Sequence, residues 1–262
     1  MGSLALSSAA EAGQTPSPPP ANQNTWYGYQ ALFNDTTGDD NSAFGFKALF
    51  SNTTGNFNTA TGSQALYSNI GGSFNTADGF QALFSNSSGD LNTAIGRLAL
   101  AANTTGIENT AVGASALRNN LTGYYNTGIG RLALFDNTTG DSNTGLGFQA
   151  LRVNTTGAKN TATGRGSLRF SLTGEQNTAT GFQALYGNTA GHNNTATGSR
   201  ALMRSQGDQN IGLGFFAGSN LQGGVNNIII GNVGPIPIGS ESNTIRIGTQ
   251  IPATATVSFD PD

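Results

Sequence analysis

The sequence predicts an all-β fold, a parallel β-solenoid of about fourteen 17-residue coils, and three observations predict it. Glycine recurs at 28, 45, 62, 79, 96, 113 and onward to Gly248, every interval being 17 residues except one of 16 between Gly198 and Gly214. Asn stands four residues before that glycine in thirteen successive repeats, from Asn24 to Asn227, usually with Thr after it. A second glycine closes an N-T-T-G stretch, as at Gly55, Gly106 and Gly140. The consensus is N-T-A-x-G-x-Q-A-L-x-x-N-T-T-G-x-x.

Each part of the unit has a physical reading. N-T-A-x-G predicts a short strand, and x-Q-A-L-aromatic predicts a second one. N-T-T-G is turn chemistry, with glycine for positive φ and Asn and Thr groups for local hydrogen bonds. Stacked coils place identical residues above one another, so Asn side-chain amides and Thr side chains form ladders. Fourteen coils at strand spacing make a rod roughly 65 Å long. A short helix at G-F-Q-A-L-F-S, with one strand and one helix per repeat, is the competing reading. The 16-residue interval places its deletion in the turn after Leu202, because a slip within a strand would invert the side-chain faces.

The organisation that follows has four parts. Residues 1–23 form a flexible, Pro-rich segment that includes TPSPPP at Thr15–Pro20. Ala10-Glu11-Ala12 has the form of a secretory cleavage site, and a signal-peptide remnant is one reading of it. Residues 24–231 are the repeat, 232–250 a terminal capping coil in which larger apolar residues replace Ala and Thr, and 251–262 a tail.

Asn92-Thr93-Ala94-Ile95-Gly96 and Asn109-Thr110-Ala111-Val112-Gly113 resemble the S-x-A-I-G repeat of YadA-type trimeric autotransporter adhesin heads. The longer unit GFQALYGNTAGHNNTATG is similar to repeats of bacterial tail-fibre-like proteins. In those, a stretch like Glu241–Gly248 often precedes an intramolecular chaperone domain that is cleaved off. The resemblance spans roughly residues 24–250 and implies a left-handed roll, association of three chains and display at a surface. The 17-residue period departs from the shorter adhesin coil, the extra residues lying in the N-T-T-G turn.

Composition narrows the chemistry. The net charge of −3 offers no electrostatic attraction to nucleic acid, and no apolar run approaches the length of a membrane span. With no Cys and a single His, His192 in a variable turn, thiolate, metal and Ser/His or Cys/His nucleophile sites are not expected. No catalytic, cofactor-binding or metal residue is assigned, and the chain is read as no enzyme. A polysaccharide-lyase-like enzyme would need a break in the repeat to house its site. Asp39, Asp40, Glu108 and Asp141 fall in turns, where solubilising charge accounts for them, and Gly128-Ile129-Gly130 is a repeat variant. Asn-x-Thr/Ser triplets such as Asn52-Thr53-Thr54 read as a by-product of the ladders, although taken literally they are glycosylation acceptors.

Three surface features carry the functional expectations. The Thr column raises ice binding, but it looks like a single file with Asn and Ala beside it. Aromatics follow the key glycine (Tyr29, Phe46, Phe80, Phe148, Phe182) and the Leu column (Phe33, Phe50, Tyr67, Phe84, Phe135, Tyr186), alternating with Arg. They form either a glycan- or partner-binding face or a packing layer. Leu and its aromatic neighbours look too large for an interior of Ala, Gly, Asn and Thr, so at least one of these rows should face outward. A Leu stripe left outside would drive three copies to close around an axis. The expected function is an extracellular or cell-surface structural fibre, the shaft or head of an adhesin or tail-fibre-like appendage, whose partners are copies of itself and surface glycans. A filament assembled head to tail is the alternative.

Overall fold

A computed structural model of the chain describes residues 23–232 and 241–248. The expectations for the Pro-rich segment up to residue 22, for PIPIG at 235–239 and for the tail lie outside the described residues.

Fourteen three-residue strands stack in chain order into one parallel sheet. They are β1 (Thr25–Tyr27), β2 (Ser42–Phe44), β3 (Thr59–Thr61), β4 (Thr76–Asp78), β5 (Thr93–Ile95), β6 (Thr110–Val112) and β7 (Thr127–Ile129). The second half is β8 (Thr144–Leu146), β9 (Thr161–Thr163), β10 (Thr178–Thr180), β11 (Thr195–Thr197), β12 (Ile211–Leu213), β13 (Ile228–Ile230) and β14 (Ile245–Ile247). Each falls on the T-A-x of the repeat, and pairing is in register, as in Thr93↔Thr110 and Ala94↔Ala111. No helix occurs among the described residues, so the helical alternative falls away.

The Q-A-L run is not the second strand that alternation suggested. Its residues at Gln81 and Leu83 have φ of 54° and 50°, and the same positions recur at positive φ in coil after coil. Inter-coil hydrogen bonding continues through it nonetheless. In the coil of Gly113, the N–H groups of Gly113 and Ser115 donate to the preceding coil, to Ile95 and Arg97. Those of Leu117 and Asn119 donate to Ala133 and Phe135 of the following one. A left-handed Leu costs roughly 1–2 kcal/mol. In exchange, Ala116 and Leu117, adjacent in sequence, both turn inward and are fully buried.

This corrects the expectation for the Leu stripe. Leu49 through Leu202 form a continuous interior column against the Ala columns of the strand and of the Q-A-L run. It offers no outward stripe for three copies to cover. Of the two rows, the aromatic one lies outside.

Two Asn ladders complete the interior. Asn109 Nδ2 donates to Asn92 Oδ1 at 3.1 Å and to the Gly123 carbonyl at 2.8 Å, while its Oδ1 accepts the Asn126 N–H at 3.0 Å. The turn Asn forms a second ladder that the sequence reading treated as local turn chemistry. Asn120 Nδ2 donates to Asn103 Oδ1 and also to Gly123 O. One turn carbonyl therefore ties both ladders together. Each such bond contributes about 1 kcal/mol net, and a member left unpaired costs ~1–3 kcal/mol.

The two glycine columns have different causes. Gly113 has φ of 128°, and a Cβ there would lie 2.8 Å from the Gly130 carbonyl carbon. The turn glycines from Gly38 to Gly191 are not at positive φ, contrary to expectation. Gly106 is required by crowding instead, since a Cβ would sit 2.4 Å from both Asn103 Oδ1 and Gly123 O.

The short coil keeps its strand register, Thr195 pairing with Ile211, so the deletion does lie in the turn. Where the Thr53 N–H meets a peptide carbonyl, that of Ile70, the Thr189 N–H meets the side-chain oxygen of Gln206 at 3.2 Å. A side-chain amide thus stands in for the missing peptide unit.

Candidate binding surface

The strands place three columns. The middle residue points inward, and the first and third point outward, as the burial of Thr178, Ala179 and Thr180 shows. Asn and Ala, which flank each Thr in sequence, are both inside. The Thr file therefore has as its true neighbour the third strand position, not Asn or Ala. From β9 to β11 that neighbour is also Thr, giving a block of Thr161, Thr163, Thr178, Thr180, Thr195 and Thr197. From β5 to β8 it is Ile95, Val112, Ile129 and Leu146. Among the described residues, no hydroxyl of these strand threonines bonds to protein. The turn threonines differ, Thr104 Oγ1 for example donating to the Leu121 carbonyl at 2.9 Å.

The aromatic columns consume their own faces. Phe33, Phe50, Tyr67 and Phe84 stack at 5.6, 5.1 and 5.1 Å, within 7° of parallel. Further along, Phe148 lies between Arg131 and Arg165 at 5.7 and 5.6 Å, and Phe182 between Arg165 and Arg200. A sugar ring stacks on an open aromatic face, and the faces inside these stacks are covered by the ring or guanidinium of the next coil. The columns act as a stacked outer layer of the coil, with ring edges toward solvent.

Comparison with protein-family models, curated proteins and solved structures finds no match. The surface is therefore read from its own chemistry.

His192 does more than occupy a variable turn. Its Nδ1 accepts the Glu175 N–H at 3.2 Å, and its own N–H donates to Asp208. The turn carboxylates behave similarly, Asp39 Oδ1 accepting the Gln23 N–H and Asp90 Oδ1 the Ser73 N–H, both at 2.7 Å. These side chains terminate backbone donors at the turn. Among the described residues, no three of His, Cys, Asp and Glu gather as metal ligands, and no helix is long and apolar enough to cross a membrane.

The Asn-x-Thr/Ser triplets divide by burial. Asn52, Asn103 and Asn137 are fully buried and hold ladder bonds, so their amides are inaccessible. Asn34 and Asn193, in Asn34-Asp35-Thr36 and Asn193-Asn194-Thr195, are exposed. The Thr pairing across the third strand column is what sequence reasoning missed, although the spacing T-x-T at residues 161–163, 178–180 and 195–197 was its visible signal.

Proposed function

We propose that this chain is an extracellular structural rod, the shaft or head of an adhesin or tail-fibre-like appendage, acting by multivalent presentation. The observation that carries the reading is the unbroken register of fourteen strands. Each outward position is thereby repeated at strand spacing along one axis, so a weak contact is multiplied by the number of coils engaged. Association with further copies, three being the expected closed number, belongs to the same proposal. Exposed Tyr27, Phe44, Phe57 and Phe74 in the first four coils supply apolar surface for it. Head-to-tail filaments fit less well, because the inward column that is Ala or Gly through the middle holds Trp26 in β1 and Arg246 in β14. A bulky residue therefore stands in the inward column at each end of the described stack.

The test combines native mass by light scattering with small-angle scattering on the full chain and on a variant lacking residues 109–159, three whole coils. A folded rod shortened in proportion, with weaker adhesion of coated beads to glycan or cell surfaces at equal density, is expected. A compact particle, or adhesion indifferent to coil number, would overturn the proposal.

A further inference from the structure

We propose that the outer face of the sheet from β5 to β11 binds ice. The inference is independent of the structural-rod reading and rests on the arrangement of the strand side chains.

Four properties of this face converge. First, it is a two-dimensional lattice: strands recur at ~4.8 Å and alternate residues along a strand at ~6.7 Å. These repeats are of the same order as the separations between oxygens on faces of hexagonal ice. The spacing between coils is regular, the Thr N–H to Asn carbonyl distance being 2.8 Å at Thr93, Thr110, Thr127, Thr144, Thr161, Thr178 and Thr195 alike. The Asn ladders beneath keep the same repeat, Asn109 and Asn126 each donating Nδ2 to the Asn Oδ1 of the preceding coil.

Second, the side chains are stiff. Every outward residue from β5 to β11 except Leu146 is Thr, Ile or Val. β-Branching restricts χ1, so little rotamer freedom remains to be lost when a rigid solid is met. Third, the hydroxyls are uncommitted, with no protein partner among the described residues, and each can donate one hydrogen bond and accept two. The neighbouring methyls restrict the orientations of first-shell water between those anchors. Fourth, no outward strand position carries a charge over this stretch, the charges of these coils, Arg97, Glu108, Arg131, Lys159 and Arg165 among them, standing outside the strands. Asp78 of β4 lies just before it, Phe44 of β2 is the nearest ring at an outward strand position, and Phe148 and Phe182 flank the face two residues past β8 and β10. A crystal surface repeats by translation as this face does, so each of the seven coils can meet an equivalent site on it.

The experiment is ice-affinity partitioning of the full chain, in which a solution is frozen slowly and protein is measured in the ice and in the residual liquid. Wild type is expected to enter the ice and to inhibit recrystallisation. Thr178→Lys with Thr180→Lys, which sets two charged chains on the Thr block, should abolish both effects. Thr105→Lys, on the turn, should retain them, and thermal melting establishes that each variant is folded. Rejection of the folded wild type from ice would overturn the proposal, as would unchanged partitioning of the lysine variant. So would light scattering in which the lysine substitutions dissociate a wild-type oligomer, because a second copy would then occupy the face. Should the lysine variant fail to fold, Thr→Ser at 163, 180 and 197 keeps the hydroxyls and removes only methyls. Ice entry should then fall clearly, and no change would count against the proposal.

Discussion

Single residues mark where the repeat is perfect and where it is broken. Ser171 interrupts the run of Asn in the turn ladder, and its short side chain leaves Asn154 Oδ1 and its own Oγ buried without partners. Asn188 Nδ2 correspondingly bonds only to Gly191 O. Ser171→Asn should restore the ladder on both sides and raise stability by about 1–3 kcal/mol, the cost of the unpaired groups it removes. Chemical denaturation of the two proteins checks this. Asp35 is the first member of the same column, accepting from Asn52 Nδ2 at 2.8 Å. Partial burial raises its pKa above the ordinary carboxylate value, the hydrogen bonds from Asn52 and Asn24 offsetting only part of that. The folded state therefore binds the proton more tightly than the unfolded chain. The sign is that this contribution is fully present below the ordinary value and is lost as pH rises through the raised one. Asp35→Asn should accordingly raise the melting temperature most at neutral pH, with the gain shrinking on acidification below the carboxylate range. A gain that grew toward low pH would contradict the sign.

At the scale of one coil, the strand and the turn tolerate change differently. Strand residues are counted by the register, since each inward Ala and Asn must meet its copies above and below. The turn is closed by donors that accept substitutes, as Gln206 shows in the 16-residue coil. Removing Ala111 should therefore misalign the Asn ladders on both sides and cause a large loss of thermal stability, whereas removing Thr105 should be mild. Comparable melting temperatures for the two deletions would refute the assignment. Much of this element was legible in sequence: the T-A-x strand, the Asn ladder and the turn deletion all lie where periodicity placed them. The Q-A-L run was not legible. A period-2 rule sends Ala116 and Leu117 to opposite faces, and both go inward because Ser115 and Leu117 take left-handed φ. No residue type at those positions advertises that conformation, which bulky side chains ordinarily avoid.

For the whole molecule, linear stacking makes stability a sum of coil terms and nearest-neighbour interfaces, so the ends should open before the middle. Trp26, the only tryptophan in the chain, packs at the N-terminal end of the core column. Its fluorescence should change at lower denaturant than the far-ultraviolet dichroism, which averages over all coils. Coincident transitions would mean that the rod unfolds as a single unit and that the first coil is no weaker than the rest.

The sequence by itself determined the period, the parallel in-register stack, the strand position and the site of the one-residue deletion. It could do so because a translational repeat forces each residue to meet its own copies, whatever the path of the chain between them. Only the tertiary structure decided which face each residue occupies outside the strand. The Leu stripe lies inside, and the turn Asn forms a second buried ladder. Those assignments depend on backbone dihedrals at non-glycine positions. Dihedrals of that kind are set by inter-coil hydrogen bonds and core packing together, and they leave no trace in residue spacing.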